Sequence, residues 1–495
     1  MNILSKMKSK TKFLYFWFSV LNKSTKSFAI IVISCISLFI ILSLIFNVLT
    51  YYIEIIFCFL KSDAFAVILT FLTVVGMVWG LYGLRSYYHF WIKKIRYRII
   101  SEYTYHHYSV SKSKSLIEKY ISVPLAKRYD CEPLNFFGEL IPSTIIWDYS
   151  KIDFNIKPNE VLDNFEIDSE PVPFTKSINL DTKKYKKARD YIKDTLENKY
   201  DKFGTRVENT KIKGEAIDYR MIGIKTDGNI PKITGKFGFY YDNLLTQYAL
   251  EWELRKTLSG TNVNNLGKRL KFNLPLRNMI ENTVENPLYN GSNRCAVISF
   301  STLIVFKRKD EYYTIINKRS SDVAVSPNMY HVVPAGMFEA ENTFDNWDLE
   351  SNILREILEE VYDDKSHMNP GERIFPEYID GYAPIPKIKE MLMNGSAELC
   401  VTGICVDLLN LRPEICTILF VDNEDFFKLK EIKFNWEYTK DNQQGKGVIP
   451  IKHINKFIER KMINPGFVVS GASCLALGLD WLESYHSNVF VKNDG

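Results

Sequence analysis

Apolar and polar positions divide the chain into a hydrophobic N-terminal part and a longer part of mixed strands and helices. From residue 28 to about residue 51 the sequence is almost continuously apolar, and a second run from Ala64 to Tyr82 carries no charge. Both runs have about the length that a transmembrane helix requires. The pattern therefore predicts a membrane two-helix hairpin over residues 28–87.

Basic residues flank the outer ends of this predicted hairpin, and only Glu54, Lys61 and Asp63 interrupt its connection. The basic residues are Lys6, Lys8, Lys10, Lys12, Lys23 and Lys26 in the tail formed by residues 1–27, and Arg85, Lys93, Lys94, Arg96 and Arg98 beyond the second run. Because lysine and arginine stay on the cytoplasmic side, we expect a cell inner membrane protein with the bilayer as a partner and both termini in the cytoplasm.

A Gly76-x3-Gly80 spacing lies in the second apolar run. Small residues at this spacing let helix backbones approach closely in lipid. The contact would be either within one hairpin or between protomers of a homo-oligomer, and glycines also fall at this spacing by chance.

The rest of the chain separates into three parts by its pattern. Residues 88–180 form a polar, aromatic juxtamembrane region that ends in an acidic, proline-bearing linker. Residues 181–290 contain strand patterns such as Tyr219–Ile224 and a helical pattern at Leu244–Leu258, which predict an α/β extension. Residues 291–485 alternate between strand and helix patterns and predict a second α/β domain.

Charge and cysteine usage narrow the possible functions. The chain has 63 lysines and arginines against 58 acidic residues, a net charge of +5 that gives no reason to expect a nucleic-acid partner. Its eight cysteines are scattered, and Cys400-x4-Cys405 lacks the second pair that a zinc site needs. They indicate reduced thiols in an intracellular protein.

The helical pattern around residue 356 carries the candidate chemistry. Its apolar positions form one stripe: Ile353, Leu354, Ile357, Leu358 and Val361. Glu356, Glu359 and Glu360 fall on the opposite face at i, i+3 and i+4, where their carboxylates repel one another unless a cation lies among them. Oxygen ligands of this kind suit Mg²⁺ or Mn²⁺. The alternative is a solvated helix face without chemistry.

The sequence in front of this helix favours a site. Tyr330–Val333 has a strand pattern, Pro334-Ala335-Gly336 follows as a tight turn, and Arg355 directly precedes the first glutamate. The order PAG, polar loop, REILEE resembles the Nudix box, the loop-helix-loop of hydrolases that cleave nucleoside diphosphates linked to another group. The family pattern is G-x5-E-x7-R-E-U-x-E-E-x-G-U, with U aliphatic.

The box departs from that pattern at both ends. Asn342 occupies the upstream glutamate position, the loop is about five residues longer, and Tyr362-Asp363 replaces the late glycine-aliphatic pair. The metal-binding half remains complete. Ligand binding should tolerate these departures better than catalysis.

The resemblance implies a Nudix-like α/β/α sandwich with a mixed sheet over residues 291–485. It implies Glu356, Glu359 and Glu360 as catalytic and metal-binding residues, and ligand contacts from Gly336 and Arg355. Arg319 follows a predicted strand and is the candidate for a phosphate contact, although it also fits a plain exposed arginine.

Two functional hypotheses follow, and a third leaves the membrane part as an inert anchor. In the first, the degenerate box binds a nucleotide and couples it to the membrane spans, as in an effector of prokaryotic nucleotide-signalling immunity, which the architecture resembles. In the second, the chain is a membrane-anchored, Mg²⁺-dependent Nudix pyrophosphohydrolase. The two predicted spans favour the first.

Overall fold

The computed structural model divides the chain into two compact units, residues 1–93 and 94–495. In the second unit the structure describes residues 121–166, 217–258 except 228, 274–320, 326–340 except 327, 347–363, 376–429, 432–438 except 436, 447–461 and 466–490. In the first unit it describes only six helical residues, which are Ser43, Thr73, Val74, Gly76, Met77 and Gly80.

The predicted membrane part of the fold requires correction. No helix in the described part of the chain is both long enough and apolar enough to cross a membrane. The long apolar helix Val469–Tyr485 has 17 residues and packs in the protein core. The expectations of a membrane hairpin and of an inner-membrane location are therefore wrong for the described residues. Almost all of residues 28–87 lies outside them.

Fourteen strands are defined in the described residues and form three sheets. The strands are β1 Leu134–Phe136, β2 Glu139–Ile141, β3 Ser143–Asp148, β4 Leu162–Phe165, β5 Ile217–Asp227, β6 Ile230–Phe239, β7 Ser299–Arg308, β8 Glu311–Lys318, β9 Tyr330–Val332, β10 Ala335–Met337, β11 Glu339–Ala340, β12 Ala397–Asp407, β13 Arg412–Val421 and β14 Val448–Pro450.

The main sheet has the order β14-β8-β7-β13-β12-β3, with β9 beside β8 and β10 beside β7. It is mixed, because β13 runs parallel to β7 whereas the other pairs are antiparallel. A second sheet, β11-β5-β6-β4, belongs mostly to the region before residue 290. We call it the extension sheet. Strands β1 and β2 form a small hairpin.

Seven helices that contain α-helix and are longer than a single turn accompany these strands in the described residues. They are α1 Val123–Arg128, α2 over residues 240–258, α3 Pro275–Glu281, α4 Leu349–Glu356, α5 Pro384–Met393, α6 Ile454–Lys461 and α7 Val469–Tyr485. Helix α2 consists of α-helix Tyr240–Asn243, π-helix Leu244–Tyr248 and α-helix Ala249–Leu258. A π-helix, Ile357–Val361, also continues α4.

Helices cover both faces of the main sheet. One face packs against α4 and α5 in a core that includes Phe300, Ile304 and Ile357. The other face packs against α7, with Leu303 and Trp481 among the buried residues. The described region is thus a mixed, sheet-rich α/β fold, and the near-continuous apolar runs of β7 and β13 follow from burial on two sides.

The extension sheet joins the main fold at the loop in front of α4. Strand β11 lies in that loop and pairs with β5, with Glu339 opposite Asp218. The Trp347 ring fills the space above Gly235, where an added Cβ would lie 2.4 Å from it, and the indole N–H donates to the Asp163 carbonyl at 2.9 Å. The predicted strand at Tyr219–Ile224 is confirmed within β5 and supplies part of this contact.

Candidate functional site

Helix α4 begins at a capped turn and carries the predicted apolar stripe into the core. Asp348 precedes the helix, and its carboxylate accepts a hydrogen bond from the Ser351 amide at 3.0 Å. All five stripe residues are fully buried, as the helical spacing predicts. Helical geometry then changes at residue 357, so that Glu359 and Glu360 lie in the wider turn of a π-helix. Wide turns of this kind occur frequently at functional sites.

The loop in front of the helix folds back onto two of the three glutamates. A side chain on Gly336 would put its Cβ 2.6 Å from Oε1 of Glu356, so only glycine lets the carboxylate come this close to the backbone. The Ala335 amide donates to Oε2 of Glu360 at 2.9 Å. The PAG turn and the helix therefore form one compact unit, in which the backbone positions the carboxylates.

Arg355 forms ion pairs with three carboxylates around it. Its guanidinium lies 2.9 Å from Oε1 of Glu356 and 3.4 Å from carboxylate oxygens of both Glu339 and Glu359. The arginine side chain is only 4% exposed, so these pairs are poorly screened by water. Arg355 therefore acts as a fixed counter-charge within the acidic cluster.

Burial opposes ionisation of the two inner glutamates. Desolvation, although partly offset by Arg355, raises the pKa of Glu356 to about 8. Desolvation together with the charges of Glu437 and Glu356 raises the pKa of Glu360 well above its ordinary value. The solvated helix face considered from the sequence does not hold for Glu360, whose side chain is almost inaccessible. A carboxyl that resists ionisation gains most from a nearby cation.

A turn far along the chain completes the acidic group. The Tyr438 hydroxyl donates to Oε2 of Glu360 at 3.1 Å, the same oxygen that the Ala335 amide contacts. The adjacent Glu437 forms an ion pair with Arg319, whose guanidinium lies 3.3 Å from Oε2 of the glutamate. Arg319 is therefore not a plain exposed arginine, because its side chain is 14% exposed and lies between the end of β8 and this turn.

The structure thus brings the six predicted site residues to one end of the main sheet. Gly336 and Arg355 both lie against Glu356, Arg355 also pairs with Glu359, and Glu360 joins the group through the amide of Ala335. Arg319 reaches the group through Glu437. Asn342, the substituted position of the box, lies outside the described residues.

Sequence reasoning missed three residues of this site, which are Glu339, Glu437 and Tyr438. Glu339 lies three residues after Gly336 and is an ion-pair partner of Arg355. Its position close to Gly336 in the same loop could have marked it as a site residue from the sequence. Glu437 and Tyr438 are about 80 residues beyond the box and follow no recognisable motif, so only the fold brings them there.

The described site offers carboxylate oxygens, which are the ligands that a hard divalent cation prefers. No three histidine, cysteine, aspartate or glutamate side chains of the described residues are grouped so that they would hold a metal alone. Mg²⁺, however, is commonly bound by only one or two protein carboxylates, together with water and substrate phosphates. Glu356 and Glu360 provide two such carboxylates beside a backbone turn.

Comparison with known proteins gives no family assignment. No family model matches the chain, and no curated protein matches it in sequence.

Proposed function

We propose that the chain is a divalent-cation-dependent hydrolase of nucleoside diphosphate derivatives, with its reaction centre at the turn between β10 and α4. The observation that carries this proposal is the fold-back of Ala335 and Gly336 onto Glu360 and Glu356. The resemblance to the Nudix box implies Glu356 and Glu360 as metal-binding residues, and the turn lies directly against both of these carboxylates.

Glu356 and Glu360, with Glu359 beside them, would hold Mg²⁺ or Mn²⁺ in this proposal. A bound cation of this kind neutralises phosphate oxygens and lowers the pKa of a water molecule. The Ala335 amide and the Tyr438 hydroxyl fix the orientation of Glu360 by occupying one of its two oxygens. Arg355 prevents the carboxylates from separating when no cation is present.

Glu437 and Arg319 have complementary parts in the proposed reaction. The Glu437 side chain is 29% exposed and is the most accessible carboxylate of the group, which suits it to accept a proton from the attacking water. Arg319 is its ion-pair partner, and a guanidinium in that position also pairs with phosphate oxygens. Phosphate binding would therefore exchange one anionic partner of Arg319 for another.

A nucleotide sensor that binds without turnover is the second candidate. Two observations favour it: Arg355 already engages Oε1 of both Glu356 and Glu359, and a π-helix replaces the regular helix at the second and third glutamates. A cation at these residues would compete with the arginine. The role of a defence effector remains a prediction from the sequence.

The test uses the full-length protein, purified with and without Mg²⁺, and offers it ADP-ribose, dinucleoside polyphosphates and cyclic dinucleotides. Binding and product formation are followed separately for the native chain and for a Glu359→Gln/Glu360→Gln variant. Glutamine preserves shape while removing charge, so hydrolysis should fall by about a hundredfold or more.

The outcomes separate the two candidates. Multiple turnover that requires Mg²⁺ and disappears in the double variant supports the hydrolase. Tight binding with no product would replace it by the sensor. If no phosphate ester binds in either metal condition, both candidates are rejected.

A further inference from the structure

The Arg355 guanidinium contacts carboxylates from two different parts of the fold. Glu356 and Glu359 belong to α4 and to the π-helix that continues it, whereas Glu339 belongs to β11 of the extension sheet. Nη1 of Arg355 lies 3.4 Å from an oxygen of both Glu339 and Glu359, and Nη2 lies 2.9 Å from Oε1 of Glu356. The arginine thus divides its charge between the proposed cation site and the extension sheet.

The backbone around Glu339 is bonded to both sheets. The amide of Phe338 donates to the carbonyl of Ile298, which directly precedes β7, and the Phe338 carbonyl accepts the amide of Tyr219 in β5, both at 2.8 Å. Glu339 follows and lies opposite Asp218. An interaction that holds the Glu339 side chain more firmly therefore also holds β11 against β5.

Arg355 cannot keep all three partners when a divalent cation is bound among Glu356, Glu359 and Glu360. The guanidinium is repelled by such a cation, and the repulsion is strong because the side chain is only 4% exposed to screening water. A buried charge without a partner is costly, so Arg355 has to retain a carboxylate outside the cation site. Glu339 already contacts Nη1 and can serve without a change of position.

We propose that Glu339 is a positioning residue that retains Arg355 when a divalent cation occupies the box glutamates, and that this exchange couples the cation site to the extension sheet. The inference rests on the proposed function, because it requires the cation site described there. No covalent bond changes: Arg355 gives up its ion pairs with Glu356 and Glu359 and keeps the pair with Glu339. The coupling is reciprocal, so firmer pairing of β11 with β5 raises cation affinity by the same factor.

The first test measures Mn²⁺ binding to the full-length protein by electron paramagnetic resonance. Glu339→Gln should weaken binding about tenfold, because Arg355 then lacks the partner that lets it leave the site. Glu350→Gln is the matched control, since it removes one negative charge from the first turn of the same helix. We expect it to change the affinity by less than about threefold. Equal losses in the two variants would overturn the proposal.

A double-mutant cycle separates this role from a simple attraction between Glu339 and the cation. In an Arg355→Leu background, Glu339→Gln should change Mn²⁺ affinity by less than about twofold, because the arginine through which Glu339 acts is gone. A loss as large as in the native background would show that Glu339 acts on the cation directly, and the proposal would fall. Melting temperatures report whether each variant folds.

Hydrogen exchange of the native chain needs no variant that folds. Addition of Mg²⁺ should slow exchange of the Tyr219 amide, which bonds to Phe338, by about threefold or more, as a coupling of this kind requires. Glu339→Gln should abolish the slowing. Unchanged exchange in native protein that binds Mn²⁺ would overturn the coupling, and so would an equal slowing in Glu339→Gln.

The results distinguish failure of this proposal from failure of the proposed function. Mg²⁺-dependent turnover without any effect on the Tyr219 amide would leave the hydrolase standing and reject the coupling. Slower exchange with no turnover would support the coupling and assign it to the nucleotide sensor. If the native chain binds no Mn²⁺, the cation site is rejected, and the coupling falls with it.

Discussion

Two buried glutamates, Glu253 and Glu360, show how similar environments serve different purposes. Both accept backbone amides: Glu253 takes those of Leu276 and Arg277 at the start of α3, and Glu360 takes that of Ala335. Burial raises the pKa of both. The difference lies in their neighbours, because arginines surround Glu253 whereas other carboxylates raise the pKa of Glu360 further.

The comparison teaches that burial and a raised pKa do not by themselves mark a reaction site. Glu253 caps a helix, and its two backbone bonds already use the carboxylate. Glu360 belongs to a cluster of like charges, which a folded protein keeps only where something offsets their repulsion. Four changes to the chain test whether this distinction holds.

The largest effect is expected from Arg355→Leu. Removing the guanidinium leaves Glu339, Glu356 and Glu359 without the counter-charge that now pairs with each of them. Loss of one partner from a buried ion pair costs about 3–5 kcal/mol of unfolding free energy, to be measured by urea denaturation. A loss below about 1 kcal/mol would mean that the cluster is solvated and not a buried charge group.

Glu360→Gln should lower hydrolytic activity, whereas the corresponding change at Glu253 should not. We expect hydrolysis of a nucleoside diphosphate derivative to fall about a hundredfold, equivalent to about 3 kcal/mol, with little change in melting temperature. Glu253→Gln is the control and should keep its activity within about twofold, since the Glu253 carboxylate bonds to the start of α3, which carries no residue of the proposed centre. Similar activity losses in the two variants would show that Glu253 and Glu360 do not differ in their roles.

Glu253→Gln should instead change how stability depends on pH. The folded pKa of about 7 exceeds the ordinary 4.5, so the folded state binds the proton more tightly. The resulting stabilisation is fully present below about pH 4.5 and is lost as the pH rises through 7. Across that window the native chain should lose up to about 3 kcal/mol relative to the variant. Parallel stability curves from pH 4 to 8 would contradict the assignment.

Tyr438→Phe should have the smallest effect. It removes the hydroxyl that donates to Glu360 but keeps the buried ring, so unfolding free energy should fall by about 1 kcal/mol. Turnover should fall more than substrate affinity if the hydroxyl orients the carboxylate. A change in affinity alone would place Tyr438 on the ligand and not on Glu360.

Local parts of the fold and site were predictable because their signals are periodic. The stripe through Ile353 and Val361 predicted the buried face of α4 and of the π-helix that continues it, and the strand pattern at Tyr219 predicted β5. Arg355 and Gly336 could be found because both lie in the short segment that resembles the Nudix box. These features depend on residues at most a few turns apart.

The remaining parts depended on contacts between distant segments. Nothing near Tyr438 indicates that its hydroxyl meets Glu360, and nothing near Arg319 indicates its pairing with Glu437. The apolar runs before residue 83 matched the length of membrane spans, yet a hydrophobic run alone does not fix where a chain resides. The sequence predicted that the three glutamates repel one another unless a cation lies among them, yet the Arg355 side chain pairs with two of them. The reach of a side chain, and not its position in the sequence alone, decides which charges meet.

The pairing of β11 with β5 also limits how the protein can be divided. A fragment that begins near residue 291 would contain every residue of the box but would cut the extension sheet through its hydrogen bonds. Glu339 would then sit on an unpaired edge, and the arginine that relies on it would lose its alignment. A fragment or chimera that is meant to keep the box intact therefore has to include residues 217–239.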